Sequence, residues 1–521
     1  MDLFIKLGML VVFFAVTIGI GLYCRRHSTD VNGFVLGGRS VGPWLTAFAY
    51  GTSYFSAVVF VGYAGQFGWK YGIAATWAGI GNALLGSLLA WAVLGRRTRI
   101  MTQHLDSATM PQFFEARFKS PALKLAASAI VFIFLIPYTA SLYNGLSRLF
   151  AMAFDIDYAW CVIIMAVLTG IYVIAGGYMA TAINDFIQGI IMIIGIVAVI
   201  AAVLNSNGGF LEALNRLGQV SDPATSTTPG VFASFFGPDP ANLLGVVILT
   251  SLGTWGLPQM VQKFYAIKNE KQIGKGMIIS TIFALVVAGG CYFLGGFGRL
   301  YNVDVANQGF DAVIPTMLSG LPTVLIALVI VLVLAASMST LSSLVLTSSS
   351  TLTLDFIKGK IVKKMDEKKQ LLTMRALIVV FIVISVVLAI VQHKSAVTFI
   401  AQLMGVSWGA LAGAFLAPFL YGLYWKRATK ASVWCSFGFS TVVMLANVLF
   451  KSAFPVILQS PINAGAFCMI AGLIIVPVVS LITPKPDKAH VEEVFSCYNR
   501  TVTVNVTDSI GDALEGTEVK A

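Results

Sequence analysis

The chain has 521 residues, 57% of them hydrophobic and 11% charged, with a mean hydropathy of +0.85 and a formal net charge of +11. Such composition excludes a soluble domain, and the length excludes a single membrane anchor. The apolar runs are continuous and about 20 residues long, not short and alternating, which sets a β-barrel aside and leaves an all-α polytopic membrane protein.

The basic surplus lies in short loops beside apolar runs and not along one soluble face, so it reads as topology and no nucleic-acid partner is expected. Six scattered cysteines (Cys24, Cys161, Cys291, Cys435, Cys468, Cys497) show no CxxC and no metal spacing, and neither a disulfide nor a zinc site is expected from them.

In chain order, the first run, Leu3 to Tyr23, has no basic start or small-residue cleavage site and reads as a retained anchor. Spans follow at Trp44 to Ala64, Tyr71 to Leu94, Leu123 to Phe150, Ala159 to Ala175, Asp185 to Leu204, Ala241 to Gln262, Gly276 to Gly298 and Leu321 to Ser350. Four more run from Leu372 to Gln392, Val397 to Tyr421, Ser432 to Leu449 and Asn463 to Ile482, making thirteen. Between them, Met110 to Lys119 opens with a proline and reads as a short interfacial helix. The loop Asn205 to Pro240 has room for a short helix around Phe210 to Leu217. The polar tail, 483–521, carries no assignable element. Its Asn499-Arg500-Thr501 and Asn505-Val506-Thr507 match a glycosylation pattern, but on the expected topology they face the cytoplasm and are read as chance.

Alternate threading with the N-terminus outside puts Arg25/Arg26, Arg96 to Arg99, Lys263 to Lys275, Lys358 to Lys369 and Lys426 to Lys430 on one side. Positive loops face the cytoplasm, so a plasma-membrane protein with a cytoplasmic C-terminus is expected.

Three stretches put polar groups at membrane depth. In the stretch Leu332 to Ser350 of the ninth span, the residues Ala336, Ser339, Thr340, Ser343 and Thr347 recur at spacings of three and four, a helical face of oxygens without charge. Hard cations take oxygen ligands, although such stripes also serve close helix packing. The second span is interrupted by Gly51-Thr52-Ser53-Tyr54-Phe55-Ser56, and the seventh by Thr250 to Gln259 with Gly253, Gly256 and Pro258. Paired broken helices in oppositely oriented halves are what an inverted-repeat transporter places around a midplane site. At the edge of the sixth span, Asp185 reads either as an acid favoured by the helix dipole or as an inner ion ligand or gate.

Gly37-Gly38-Arg39-Ser40, the broken second span, the segment Gly176-Gly177 to Gln188 and Ala335 to Ser342 together resemble the sodium:solute symporter family, which includes bacterial proline, pantothenate, sialic acid and galactose carriers. The likeness covers about Asp30 to Leu449. It implies a LeuT-like five-plus-five inverted repeat within residues 1–482, with 3–23 as an extra N-terminal helix, 44–204 and 241–421 as the repeats and 432–482 as two added C-terminal helices. Carried over by position, it implies a sodium site from the carbonyls of Thr52, Phe55 and Ala336 and the hydroxyls of Ser339 and Thr340. It implies a second sodium site or inner gate at Asp185, Ser342 and Ser343, with Ser339 nearby.

For the solute, the resemblance leaves a pocket of Ser53, Tyr54, Ser56, Ala57, Thr250, Thr254, Trp255 and Gln259. Tyr54 stands where proline carriers have an aspartate, and Thr250 and Thr254 where they have aromatics. Val59, Ser251 and Thr254 depart from the sugar carriers. A small amino acid or an organic acid is therefore expected, moved with sodium by alternating access. Competing classes are a proton-coupled or uncoupled solute carrier, a channel, a transporter-like sensor and a membrane enzyme. The four histidines (His27, His104, His393, His490) lie in or beside loops and form no catalytic cluster, which argues against the enzyme.

Overall fold

The structure is a computed structural model that describes residues 2–25, 29–154, 156–223, 225–362, 364–394, 400–499, 503–506 and 517–520. Several positions named above lie outside the described residues: Arg26 and His27, Val397 at the expected start of the eleventh span, and Arg500, Thr501 and Thr507 of the glycosylation-like patterns. So do the side chains of Tyr54, His393 and Asn505.

The first apolar run forms helix α1, Asp2–Cys24. The second span starts as α2, Pro43–Tyr54, with proline at its first turn. After a break it continues through the long helix α3, Val58–His104. There follow α4, Pro121–Phe154, and α5, Tyr158–Ser206. The seventh span divides into α6, Pro240–Gly256, and α7, Pro258–Ala266, which are bent by 45°. Then come α8, Glu270–Leu300, α9, Thr323–Thr351, α10, Glu367–Lys394, and α11, Ile400–Tyr424. Last are α12, Lys430–Leu449, α13, Pro461–Ile482, and the short α14, Lys488–Phe495.

Among the described residues ten helices are long and apolar enough to cross a membrane, eleven with the bent α6/α7 pair as one span. Thirteen separate crossings are not confirmed by this count. The reason is continuity: α3 and α5 run 47 and 49 residues through points where the sequence suggested loops. At 1.5 Å per residue each is roughly 70 Å long, more than twice the hydrocarbon thickness. Each carries an internal glycine in the left-handed region, Gly72 (φ 62°) and Gly177 (φ 55°). A Cβ at Gly177 would stand 2.8 Å from the Phe34 carbonyl oxygen, so both conformation and space require glycine there.

Helix α9 is the axis of the molecule: every residue from Val329 to Thr351 is buried. It packs along α5, α4 and α1, and it touches α2 beside the break. A helix enclosed all round has no amphipathic face to orient it, which leaves its hydroxyls free to serve neighbours.

The expected short helices form at Met110–Phe118, capped by the Thr109 hydroxyl, and at Phe210–Gly218. The tail, in contrast to its reading as unassignable, docks. In α14 Asp487 caps the first turn, and Val491, Val494 and Phe495 are buried. Phe495 lies under the Arg117 guanidinium, 4.9 Å from ring centroid to Cζ, and burial pushes the Arg117 pKa down to about 10. Tyr498 donates to the Arg97 carbonyl (3.2 Å). His104 and His490 are engaged here as well, with the backbone carbonyls of Glu493 and Ala116 at 3.0 Å each.

Candidate functional site

The second span breaks where the sequence placed glycine and hydroxyls. Phe55 adopts extended backbone (φ −87°, ψ 118°), which ends α2 and strips its last carbonyls of helical partners. The hydroxyls of α9 meet those carbonyls. Ser339 Oγ lies 3.2 Å from the Thr52 carbonyl oxygen and 3.0 Å from that of Ala336. Thr340 Oγ1 lies 3.1 Å from each of the Thr52, Phe55 and Ala336 carbonyl oxygens. The five residues named for the first ion site therefore meet in one place. A hydroxyl has one proton to donate. Thr340 faces three acceptors with one donor and Ser339 faces two, so the cluster holds more lone pairs than protons, all aimed inward and all buried. Such an excess of neutral oxygen is chemically suited to a hard cation.

One turn along α9 the surroundings are charged. Asp185, on α5 beyond the Gly177 bend, is fully buried, and neither carboxylate oxygen has a hydrogen-bond partner among the described residues. Its ionic partner is Lys263 of α7, with Nζ 3.9 Å from Asp185 Oδ2. The lysine donates to Ser343 Oγ (3.1 Å), which lies 3.0 Å from Ser53 Oγ. The Tyr178 ring flanks the ammonium, 5.1 Å from Nζ to centroid. Ser342 instead donates to the Ser339 carbonyl (2.9 Å).

Lys263 corrects the sequence reading, which put it in an inner loop. It is 2% exposed, because α7 restarts at Pro258 and carries the chain one further turn inside the protein. That restart was the available signal: a helix beginning at Pro258 sets Gln259 and Lys263 four residues apart on one face. Gln262 of the same half-helix accepts from Thr347 (2.9 Å) and donates to the Val35 carbonyl (3.1 Å). Tyr172, also unremarked in the sequence, donates to the Met338 carbonyl (2.9 Å) and so holds α5 to α9.

The residues named for the solute do not share one environment. Ser53 belongs to the charged cluster and donates to the Ala49 carbonyl at 2.5 Å. Ser56 accepts from the Val58 amide (3.2 Å), capping the second half of the broken second span, and Ala57 is buried beside Gly145. Thr250 turns back to the Val246 carbonyl (2.9 Å). Thr254 and Trp255 donate to the Gly86 and Leu85 carbonyls, both at 2.9 Å. Both acceptors lie within Asn82–Leu89, which is wound as a π-helix. Gln259 is 1% exposed and neither amide atom has a partner among the described residues. A cavity of about 470 Å³ is lined by Gln66, Lys70, Asp239, Asn242, Arg299 and Asn463 among others, near the start of α6.

Two discontinuous helices, one meeting a buried polar helix at a cation-suited oxygen cluster, define a secondary transporter. The chain belongs to the sodium:solute symporter family, whose profile matches residues 34–436. It is 28% identical over 500 residues to the osmoregulated proline transporter OpuE of Bacillus subtilis, covering 94% of this chain and 96% of that one. To the sodium/proline symporter of Staphylococcus aureus it is 31% identical over 440 residues, covering 81% and 82%. In fold it is similar to a Na+-coupled sialic acid symporter solved in a substrate-bound outward-open state, with a TM-score of 0.71 and 16% identity over 93% of this chain and 99% of that chain. The protein is therefore a multi-pass membrane transporter of the LeuT fold and not an enzyme, and it moves a small solute with sodium as the coupling ion.

Proposed function

We propose that the chain imports a small amino acid of the proline type, or a related organic acid, across the plasma membrane, with sodium held by the carbonyls of Thr52, Phe55 and Ala336 and the hydroxyls of Ser339 and Thr340. The observation that carries this reading is the Thr340 hydroxyl, at 3.1 Å from three carbonyl oxygens it cannot satisfy together. A bound cation answers all five oxygens and ties α2 to α9, stabilising one arrangement of the two and raising affinity for the solute. The coupling is reciprocal, so the solute raises sodium affinity by the same factor.

The solute class is supported by two relatives that are named for proline. Within the pocket set, Gln259 keeps an amide with no partner among the described residues, open to a carboxylate or imino group, while Thr250, Thr254 and Trp255 serve helix packing in this state. The N-terminal ends of the half-helices at Ala57 and Pro258 favour negative charge. In this reading α3 and α5 each cross twice, the two repeats are 44–204 and 241–421, the N-terminus is outside and the C-terminus cytoplasmic. Clustered Arg96, Arg97 and Arg99 and the Lys358 to Lys369 run support that orientation.

The test is uptake of labelled proline into proteoliposomes under an inward sodium gradient, preceded by a thermal-shift screen of amino acids and organic acids in sodium and in choline. Accumulation that needs sodium and collapses in Thr340→Ala is expected. Transport that proceeds equally in choline overturns the ion assignment.

A further inference from the structure

Asp185 poses a problem that the sodium cluster does not solve. A carboxylate buried without hydrogen bonds costs several kcal/mol unless a cation stays beside it. The surroundings are built to receive one: two carboxylate oxygens with no hydrogen bond among the described residues, Ser343 Oγ, Ser53 Oγ and the face of Tyr178. An ammonium and a sodium ion are both compact, strongly hydrated cations that take oxygen partners. Here the chain supplies the cation. Lys263 donates to Ser343 and stands 3.9 Å from the carboxylate, near enough to neutralise it and too far for a direct hydrogen bond.

The origin of the lysine matters. It projects from α7, the nine-residue half-helix after the break at Leu257, so its four-carbon stem moves with that segment. Asp185 belongs to α5, and Ser343 follows Ser339 and Thr340 by one turn of α9. The ammonium therefore joins three elements next to the cluster that takes the mobile ion.

We propose that Lys263 is a resident cation that fills the position formed by Asp185, Ser343 and Ser53, and that it thereby limits this transporter to one sodium per cycle. The inference rests on sodium binding at Thr340 as proposed above. Removing the lysine opens a position with a carboxylate and two hydroxyls, into which a second sodium fits.

The experiment counts bound 22Na per molecule of full-length protein in nanodiscs, with sodium as the only ligand. The wild type is expected to bind one ion, Lys263→Ala two, and the Lys263→Ala/Asp185→Asn double variant one again. Lys263→Arg, which keeps the charge, is expected to bind one. A second readout separates this from a merely structural ion pair: melting temperature in sodium against choline. Lys263→Ala should recover stability in sodium with a second, weaker half-effect absent from the wild type. Two ions in the wild type, or one ion in Lys263→Ala with the same loss of stability in both salts, overturns the proposal. If Lys263→Ala does not fold, Lys263→Gln takes its place with the same expected counts. No sodium bound by the wild type defeats the sodium-site reading itself. One ion lost on Thr340→Ala, with one ion in every Lys263 variant, defeats this inference alone.

Discussion

Two polar clusters sit on neighbouring turns of α9, and they solve the burial of polar atoms in opposite ways. Around Ser339 and Thr340 the partners across the helix contact are neutral carbonyls released by the break at Phe55. Around Ser343 the partners are an acid and a lysine, both provided by the protein. A neutral cage can be emptied at modest cost, since its hydroxyls fall back on their own helix, as both do toward Ala336. A buried carboxylate cannot be left alone. The difference teaches where a transported ion can come and go, and where positive charge must stay.

The contrast can be broken most directly at Asp185. Asp185→Asn leaves the Lys263 ammonium buried without its acid and should destabilise the protein by about 3–5 kcal/mol. Thermal unfolding should show the loss equally in sodium and choline; an unchanged melting temperature would mean that the pair is not a burden the fold must balance. Next in size, Thr340→Ala removes the hydroxyl shared by three carbonyls. A loss of about 1.5–3 kcal/mol in ion binding, roughly 10- to 150-fold in the sodium half-saturation of uptake, is expected with little change in choline stability. Gly177→Ala forces a side chain into backbone with φ 55° and ψ −147°, against Phe34, costing about 1–3 kcal/mol from conformation alone. Because the bend precedes Asp185, its solute accumulation should fall more than its sodium affinity, which a comparison of uptake and 22Na binding reads. Smallest of all, Ser53→Ala deletes one hydrogen bond of the charged cluster, about 1 kcal/mol of stability, and should leave the sodium half-saturation within twofold of wild type.

Much of this arrangement was legible before any coordinates, and for physical reasons. Glycine and hydroxyl residues inside an apolar run have few explanations at membrane depth, so the breaks at Phe55 and Leu257 could be read from composition. The α9 stripe could be read from its period of three and four. The proposed carbonyl ligands Thr52 and Phe55 could not, since a backbone oxygen leaves no mark on side-chain identity; they came from the resemblance alone. Lys263 was missed because hydropathy alone ends the seventh span at Gln262 and treats any lysine after it as loop. The thirteen-helix count met α3 and α5, where short turns are wound as helix and Gly72 and Gly177, both at positive φ, mark the change of direction. The docking of α14 was hidden by the polarity of its sequence, in which Val491, Val494 and Phe495 occupy one narrow face.

The segment Gly37-Gly38-Arg39 has left-handed backbone at three successive residues, and it delivers Arg39 to the carbonyls of Ser107 (2.7 Å), Tyr265 (3.3 Å) and Thr102 (3.4 Å). Just after it, Val41 pairs with the end of α7: its amide donates to the Ala266 carbonyl at 3.2 Å, and its carbonyl accepts from the Lys268 amide at 2.9 Å. The start of one broken helix is thereby stitched to the finish of the other. A swing of α7 would drag the foot of α2 with it, and the half-helix bearing Lys263 shares one lever with the half-helix whose frayed end carries the oxygen cluster.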